Sequence, residues 1–268
     1  MWNIRLCMRG FLILLLGLSG CAGDGEEKPY VERSVGDLYD EGYRAFDQRN
    51  FEAAALAFDE IERQHPYSAW AAKAQLLSAY ASYKDQKFDQ AITTLDSFLS
   101  LHPTHLQSDY AHYLRALCYY KDIGAIERDQ KNTFLALEAL NELIRRFPRT
   151  AYALDTRLKR DFVLDQLAAK EMDVGRFYQR RFQHLAAINR YRQVVREHPL
   201  TTHVPEALHR LVECHVALGL QGEAEKVAAI LGHNFSDNPW YAESYRLLKG
   251  GDLKPESVKS AVPARTKN

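Results

Sequence analysis

A set of four residues that recurs along the chain is the feature that most constrains the fold. Gly42, Ala54, Phe58 and Pro66 fall at offsets of 0, 12, 16 and 24 residues. The same pattern, complete or with similar residues, recurs in four further segments: Gly175, Ala187, Tyr191 and Pro199; Ala79, Ala91, Leu95 and Pro103; Ala116, Ala136, Leu140 and Pro148; and Val212, Ala224 and Ala228. The segment that begins at Ala116 carries eight extra residues, 122–129.

These offsets resemble those of the tetratricopeptide repeat, a helix–turn–helix unit of about 34 residues. The two small residues lie where the two helices of a unit touch, and the large apolar residue four positions later lies on the same helix face. Proline ends the second helix because it has no backbone N–H and disfavours helix in the residue before it. The sequence therefore predicts an all-α fold, a right-handed superhelical solenoid of about five such repeats.

The predicted solenoid covers residues 34–249 and is followed by a tail. The repeats are expected at 35–68, 72–105, 109–150, 151–201 (including a long extra helix) and 204–238, with a capping helix at 239–249. Residues 250–268 contain Gly, Pro, Ser and Lys without periodicity and are expected to be disordered. The chain has 35 basic and 35 acidic residues, so no overall charge attracts it to nucleic acid.

The N-terminus predicts export and lipidation. Arg5 and Arg9 precede an apolar run at 11–18, which is typical of a signal peptide and too short to span a bilayer. The run ends in Leu-Ser-Gly-Cys at Cys21, which resembles the lipobox of bacterial lipoproteins. This resemblance implies cleavage after residue 20 and a lipid on Cys21, and Ala22 at the next position implies sorting to the outer membrane. The alternative is an ordinary signal peptide with a nearby cysteine. Residues 21–33 would form a polar tether.

The sequence contains no signature of catalysis. It has no Gly-rich phosphate loop, no His-Glu-x-x-His and no Gly-x-Ser-x-Gly. His102 and His105 straddle Pro103 in a predicted connecting turn, so they do not indicate a metal site. Cys118 and Cys214 lie on helices two repeats apart and are expected to be buried and unbridged. We therefore predict a protein that is not an enzyme and that uses no cofactor or metal.

Aromatic residues form a second pattern on the first helices of the early repeats. They follow i, i+4, i+7 spacing: Tyr39, Tyr43 and Phe46; Leu76, Tyr80 and Tyr83; and Tyr113, Leu117 and Tyr120. This spacing places each set on one helix face, which lines the concave groove in stacked repeats. The predicted groove also includes Tyr110, Lys73, Lys84 and Lys121. Such a groove would suit an extended peptide with aromatic side chains and a free carboxylate. Alternatively, the rings pack between neighbouring first helices and complete the core.

Several strings, together with the lipobox and the repeats, resemble the BamD (ComL) family of outer-membrane β-barrel assembly lipoproteins. They are His-Pro-Thr-His-x-x-x-Asp-Tyr-x-x-Tyr-x-Arg at 102–115, Asn189-Arg190, Ala-Glu-Lys-Val-Ala at 224–228, and the segment 66–84. The resemblance covers roughly residues 15–235. One departure is the loop between the helices of the third repeat, which is shorter than in some members of the family.

The resemblance implies a non-enzymatic subunit of the complex that folds β-barrels into the outer membrane. Its C-terminal repeats would hold the central barrel protein through a periplasmic POTRA domain, with Arg190 as a contact residue. Its N-terminal repeats would bind unfolded barrel precursors, whose last strand ends in an aromatic residue and a carboxylate. The other partners would be further assembly lipoproteins, and the protein would sit on the periplasmic face of the outer membrane, anchored through Cys21.

A different class of protein shares most of these features. A periplasmic repeat lipoprotein that recruits cell-wall enzymes or coordinates division would have the same signal, repeats and anchor. It would lack the ordered strings of the BamD family.

Overall fold

The computed structural model describes residues 31–250. The predicted signal peptide and Cys21 lie outside these residues, as does the predicted tail beyond Gly250. Residues 31–34 precede the helical unit and carry no regular secondary structure. Within the described residues the helices are α1 Val35–Asp47, α2 Phe51–Gln64, α3 Ala71–Lys84, α4 Phe88–Leu101, α5 Ser108–Lys121, α6 Lys131–Arg146, α7 Ala153–Arg180, α8 His184–Glu197, α9 Val204–Ala217, α10 Gln221–Asn234 and α11 Pro239–Lys249.

The helices form the all-α, tetratricopeptide-like solenoid that the sequence predicts. Each helix packs against the next along the chain, so that α1–α2, α3–α4, α5–α6, α7–α8 and α9–α10 form five helix pairs, here called units 1 to 5. In units 1 to 4 the residue that follows the second helix precedes a proline; these residues are His65, His102, Phe147 and His198. These four residues leave the helical region with φ near −130°, as the residue before proline does. No helix in the described part of the chain is long and apolar enough to cross a membrane.

The turn between the two helices has one backbone geometry in units 1, 2, 4 and 5. Its middle residue has a positive φ: 59° at Arg49, 62° at Gln86, 59° at Phe182 and 73° at Gly219. In each turn the next residue donates its N–H to the carbonyl five positions earlier, as Asn50 does to Ala45 and Gln183 does to Tyr178. This is the Schellman arrangement that closes a helix C-terminus. Successive units therefore reverse direction in the same way.

Unit 3 replaces this turn with a longer loop, which is held by one buried amide. The Gln130 side chain donates to the carbonyl oxygens of Ala125, Ile126 and Arg128, at 3.5, 3.2 and 3.0 Å. The Thr133 hydroxyl donates to the Gln130 side-chain oxygen at 2.9 Å. The eight inserted residues thus form an ordered loop within the unit.

Inside each unit, the recurring residue of the first helix contacts the recurring residue of the second helix, and the sizes of the two side chains compensate each other. A Cβ added to Gly42 would lie 2.5 Å from Cε1 of Phe58, and one added to Gly175 would lie 2.4 Å from Cε1 of Tyr191. Ala79 and Ala116 stand at the same positions in units where the large residue is leucine, and unit 5 combines Val212 with Ala228. The smaller the residue on the first helix, the larger the residue on the second. Together they fill a contact of nearly constant size.

Helix α7 joins the two halves of the stack as one uninterrupted helix of 28 residues. Its first half packs against unit 3, where Val163 shares a core with Ala116 and Leu140. Its second half is the first helix of unit 4, where Met172 shares a core with Tyr191 and Ala187. At 1.5 Å per residue, this helix is about 42 Å long.

The last helix closes the apolar end of the stack. His209 of α9 lies stacked on Trp240 of α11, with ring centroids 5.1 Å apart. The Nδ1 atom of His209 lies 2.8 Å from the hydroxyl oxygen of Ser244, which donates in turn to the Trp240 carbonyl at 2.9 Å. Cap and stack are therefore joined by both apolar and polar contacts.

Cys118 and Cys214 are free and buried, as the sequence predicts. Burial raises the pKa of each thiol to about 12. Both therefore stay protonated at neutral pH and behave as small apolar side chains.

Because the sizes of Gly42 and Phe58 compensate each other, we expect substitutions at the two positions to change the free energy of unfolding in a strongly non-additive way. Gly42→Ala alone should lower the free energy of unfolding by about 1–3 kcal/mol, because the fully buried Phe58 ring has no room to move. The double variant Gly42→Ala with Phe58→Leu reproduces the Ala79–Leu95 pair and should recover much of that loss. Urea unfolding of the two single variants and the double variant measures the coupling. Strictly additive losses would contradict this explanation.

Acidification should destabilise the fold through His112. Burial lowers the pKa of this histidine to about 4, and Glu142, 3.8 Å from Nδ1, opposes that shift only in part. The unfolded chain therefore binds a proton at a higher pH than the folded chain does. The stabilisation is complete above the ordinary histidine pKa and is lost as the pH falls towards 4, by up to about 2 kcal/mol between pH 7 and pH 5. Urea unfolding at pH 7 and pH 5 should show a smaller loss of unfolding free energy for His112→Phe than for the wild type. An equal loss in the two proteins would contradict this role of His112.

Candidate functional site

The predicted groove begins with a cation held over two aromatic rings in units 1 and 2. The Nζ atom of Lys73 lies 5.2 Å from the ring centroid of Tyr39 and 5.6 Å from that of Trp70. The Tyr39 hydroxyl donates to the Tyr43 hydroxyl oxygen at 3.2 Å, and their ring centroids are 4.7 Å apart. Both rings also contact Phe58 from the side, so their inner edges rest on the core of unit 1.

Further along the stack, rings from neighbouring first helices pack against each other. Phe46 of α1 stacks on Tyr80 of α3, with centroids 5.5 Å apart and planes 23° from parallel. Tyr80 then stacks on Tyr83 at 6.4 Å. These contacts join unit 1 to unit 2. All three rings are partly buried, so each keeps an accessible part.

A cleft with two lysines lies at the end of this row of rings. It encloses about 340 Å³ and is lined by Tyr83, Lys84, Gln86, Phe88 and Lys121. Lys84 and Lys121 are exposed, and neither forms an ion pair with a carboxylate within residues 31–250. The Nζ atom of Lys84 lies 5.9 Å from the centroid of Phe51. The cleft thus offers two uncompensated positive charges beside aromatic rings, an arrangement that suits a carboxylate attached to an aromatic residue.

Unit 3 continues the surface with a hydrogen-bonded tyrosine. Tyr113 stacks on Tyr152 with centroids 4.6 Å apart and donates its hydroxyl to Oδ2 of Asp155 at 2.6 Å. Burial and this hydrogen bond raise the pKa of Tyr113. Burial alone would raise the pKa of Asp155, but hydrogen bonds from Lys159 and Tyr113 outweigh it and lower that pKa. Tyr110 also contacts Tyr152, at 5.8 Å.

The last ring of the predicted groove lies under the first half of α7. Tyr120 meets the edge of Phe162 at 5.7 Å, and the Nζ atom of Lys159 lies 5.6 Å from its centroid. This lysine also pairs with Asp155. The cation on this part of the surface is therefore compensated, unlike those of the cleft.

The structure distributes the predicted groove residues over three aromatic groups and the cleft. Six of the eight rings contact a ring that lies on a neighbouring first helix or immediately before it, in line with the core interpretation, yet none of the eight is fully buried. Tyr43 is exposed. The aromatic surface is defined as the predicted groove rings on α1, α3 and α5 together with their partly exposed ring partners and the cleft. Each of the predicted groove rings packs against another ring and keeps part of its surface accessible to solvent.

The sequence analysis missed the cleft residues Gln86 and Phe88, and it also missed five residues at or beside the rings: Trp70, Tyr152, Asp155, Lys159 and Phe162. Trp70 and Tyr152 immediately precede helices, outside the i, i+4, i+7 pattern. The other three belong to the first half of α7, which carries no repeat motif of its own. Their signal was the spacing of Asp155, Lys159 and Phe162, the same i, i+4, i+7 pattern that α1, α3 and α5 carry.

Arg190, the predicted partner contact, lies on α8 and already has an ion-pair partner. Its Nη1 atom lies 3.1 Å from Oε2 of Glu171 on α7, and 40% of its side chain is exposed. The side chain is thus held in place and remains reachable. Cys21, the predicted lipidation site, lies outside the described residues.

A family profile described as YfiO, outer membrane lipoprotein, matches residues 31–230. The chain belongs to this family. Among its relatives, the outer membrane protein assembly factor BamD of Caulobacter vibrioides is 44% identical over 246 residues, which cover 91% of this chain and 81% of that protein. The protein of the same name from Rickettsia prowazekii is 38% identical over 242 residues, covering 90% and 96%. The family resemblance indicated by the sequence motifs is therefore confirmed.

Solved repeat structures are also similar to this YfiO-family chain. One is the tetratricopeptide-repeat domain of P58(IPK), with a TM-score of 0.41, 17% identity, and coverage of 86% of this chain and 67% of that one.

Proposed function

We propose that this chain is a non-enzymatic lipoprotein subunit of the machinery that assembles β-barrel proteins in the outer membrane. Family membership supports this role, since its relatives from Caulobacter and Rickettsia are named as outer membrane protein assembly factors. The chain would be anchored through a lipid on Cys21, on the periplasmic face of the outer membrane. Its partners would be the central barrel protein, other assembly lipoproteins and unfolded barrel precursors.

In this proposal the aromatic surface binds the C-terminal signal of a precursor. The observation that carries it is the cleft, where Lys84 and Lys121 lie beside Tyr83 and Phe88 without carboxylate partners. A terminal carboxylate would lie between the two ammonium groups, and the terminal aromatic side chain would pack on the rings. The row from Tyr80 towards Phe46 would take the preceding aromatic residues of the extended strand.

The C-terminal units would hold the central barrel protein through a POTRA domain, with Arg190 offering a charge-assisted hydrogen bond to an acidic group. The long helix α7 separates the two binding regions by a fixed length of helix. The protein would therefore act as a rigid adaptor, which presents a precursor at one end to the barrel protein held at the other.

The cleft can be tested with a synthetic peptide that ends in phenylalanine and carries a fluorophore at its N-terminus. Replacing the peptide's terminal carboxylate by an amide should weaken binding roughly three- to tenfold, because two exposed ammonium–carboxylate pairs are lost. The double variant Lys84→Gln with Lys121→Gln should weaken the acid peptide to the same extent and leave the amide peptide unchanged. Fluorescence anisotropy measures both.

Lys226→Gln provides the matched control, since Lys226 is also exposed but pairs with Glu223 on α10. It should bind both peptides as the wild type does. Equal binding of acid and amide peptides by the wild type would show that the cleft does not recognise a carboxylate.

The role of Arg190 can be separated from its internal ion pair. Arg190→Gln should weaken binding of the purified POTRA region, whereas Glu171→Gln should preserve or improve it, because it releases the guanidinium. Both variants remove the same 3.1 Å ion pair, so any structural effect of losing it appears in both. Biolayer interferometry of the two variants against the wild type makes the comparison. Equal losses of binding affinity in the two variants would show that Arg190 has only a structural role.

A further inference from the structure

The loops that join units 1 to 4 lie at the side of the stack where the first helices begin. Two contacts show that these helices start level with one another: Lys73 of α3 lies over the ring of Tyr39 of α1, and Tyr113 of α5 donates to Asp155 of α7. The turns inside the units lie at the opposite side. The first three joining loops are 65–70, 102–107 and 147–152.

These three loops share one backbone geometry. In the first loop the N–H of Ser68 donates to the His65 carbonyl at 3.0 Å, and the N–H of Ala71 donates to the Ser68 carbonyl at 3.1 Å. The other two loops repeat both hydrogen bonds at the equivalent positions. Backbone atoms thus hold the loops in the same form, whatever side chains stand at their tips.

Large apolar side chains occupy the first two loops and bury little there. Tyr67 is 101% exposed, Leu106 is 93% exposed and Trp70 is 46% exposed. The turns at the opposite side of the same units, 47–50 and 85–87, carry only polar residues. Packing therefore does not account for Tyr67 and Leu106.

The third loop adds positive charge to the same side. Arg149 lies in this loop, Arg145 and Arg157 lie on the helices that it joins, and all three are exposed. None of them pairs with a carboxylate within residues 31–250. Leu154, in the first turn of α7, is 70% exposed. None of the three loops contains an acidic residue, although the chain has 35.

The acidic residues in the first turns of α5 and α7 already have partners. Asp109 accepts the N–H of Tyr110 at 2.7 Å. Asp155 pairs with Lys159 and accepts the Tyr113 hydroxyl. The charge of the three arginines is therefore not compensated by these carboxylates.

The fourth joining loop, 198–203, lies at a different level. Thr202 in this loop donates its N–H and its hydroxyl to Oδ1 of Asp165, at 3.0 and 2.7 Å. Asp165 is 12 residues beyond Ala153, the first residue of α7, which corresponds to about 18 Å of helix. The side of units 1 to 3 thus forms an end of its own. This loop end is defined by six residues: Tyr67, Trp70, Leu106, Arg149, Leu154 and Arg157.

The point where the chain enters the stack indicates what the loop end faces. Helix α1 begins at Val35, and the first helices of units 1 to 3 begin at the loop end. Val35 is 14 residues beyond Cys21, so a lipid on Cys21 would hold the loop end within about 48 Å of the membrane surface, at about 3.4 Å per extended residue. The turns lie further away by the length of a helix, about 20 Å. Of the two sides of units 1 to 3, the loop end is the one tied to the membrane.

We propose that the loop end is a contact surface for anionic phospholipid, in addition to the lipid anchor. This inference rests on the proposed function, in which Cys21 carries the lipid. Tyrosine and tryptophan suit the headgroup region, because each ring combines an apolar body with a polar group. Exposed arginines are attracted to an anionic surface and form paired hydrogen bonds with phosphate. The two attachments together would fix which side of units 1 to 3 faces the bilayer, which a single point of attachment does not do.

A fluorescent probe measures this contact on the full mature lipoprotein. The chain is reconstituted in vesicles of phosphatidylcholine, alone or mixed with phosphatidylglycerol, and a nitrobenzoxadiazole dye is attached to Thr104→Cys in the second loop. Cys118 and Cys214 are buried with raised pKa values and stay unlabelled at neutral pH. In the mixed vesicles the dye should emit further to the blue, and lipids with brominated acyl chains should quench it about threefold more strongly than in phosphatidylcholine alone. The dye on Gln48→Cys, in the turn of unit 1, is the matched control and should report water in both.

Substitutions in the loop end separate charge from apolar contact. Arg149→Gln with Arg157→Gln should return the dye at residue 104 to its emission in phosphatidylcholine vesicles, because the attraction to the anionic surface is lost. Tyr67→Ser should weaken the quenching by brominated lipids. Arg44→Gln with Arg180→Gln removes two exposed arginines elsewhere in the stack and should leave the dye signal unchanged.

The other outcomes are distinguishable. A dye at residue 104 that reports water in the mixed vesicles, or that responds equally in both kinds of vesicle, would overturn the inference and leave the proposed function standing. Failure to float with phosphatidylcholine vesicles would overturn the lipid anchor, while the dye signal in mixed vesicles still tests the loop end. A blue shift that requires a higher protein concentration at constant lipid would assign the loop end to a second copy. A shift that requires added barrel protein would assign it to a protein partner.

Discussion

The contact between the two helices of each unit is the constraint on which the stack depends. Its volume is nearly constant, while the residues that fill it change from Gly42 with Phe58 to Ala79 with Leu95 and to Val212 with Ala228. Because helices pack at close distances, an extra methyl group on one side must be matched by a smaller side chain on the other. Equal contacts give equal distances between the helices of different units. Regular stacking, and with it the aromatic surface along the first helices, follows from that equality.

The aromatic surface uses one set of side chains for stability and, in the proposed function, for binding. Rings such as Phe46 and Tyr80 lie between successive first helices and bury part of their area there. The stack therefore holds them in fixed orientations before any ligand arrives, and little side-chain freedom would be lost on binding. The lysines of this surface differ in whether a carboxylate compensates their charge. Lys159 is compensated by Asp155, whereas Lys84 and Lys121 keep their charge available.

The sequence predicted the repeats well because their signal is local and occurs several times. The small residues, the large residue and the proline are fixed by contacts within a unit, and so the helix pairs could be placed from spacing alone. Contacts across units were harder to predict. Glu171 pairs with Arg190 only because α7 continues without a break, and Tyr152 meets Tyr113 only because α7 lies beside α5. The rings were recognised by their periodicity, but which face of each ring is open depends on neighbours far away in the sequence.

The identical turns of four units also affect how such a chain can change during evolution. The Schellman hydrogen bonds involve only backbone atoms, so the residue at the turn's centre can vary from arginine to phenylalanine while the helices on either side stay in place. Substitutions at this edge are thereby decoupled from the core, where every volume change needs a compensating one. The edge of the stack can acquire or lose partners one unit at a time, and the architecture that presents them is inherited unchanged.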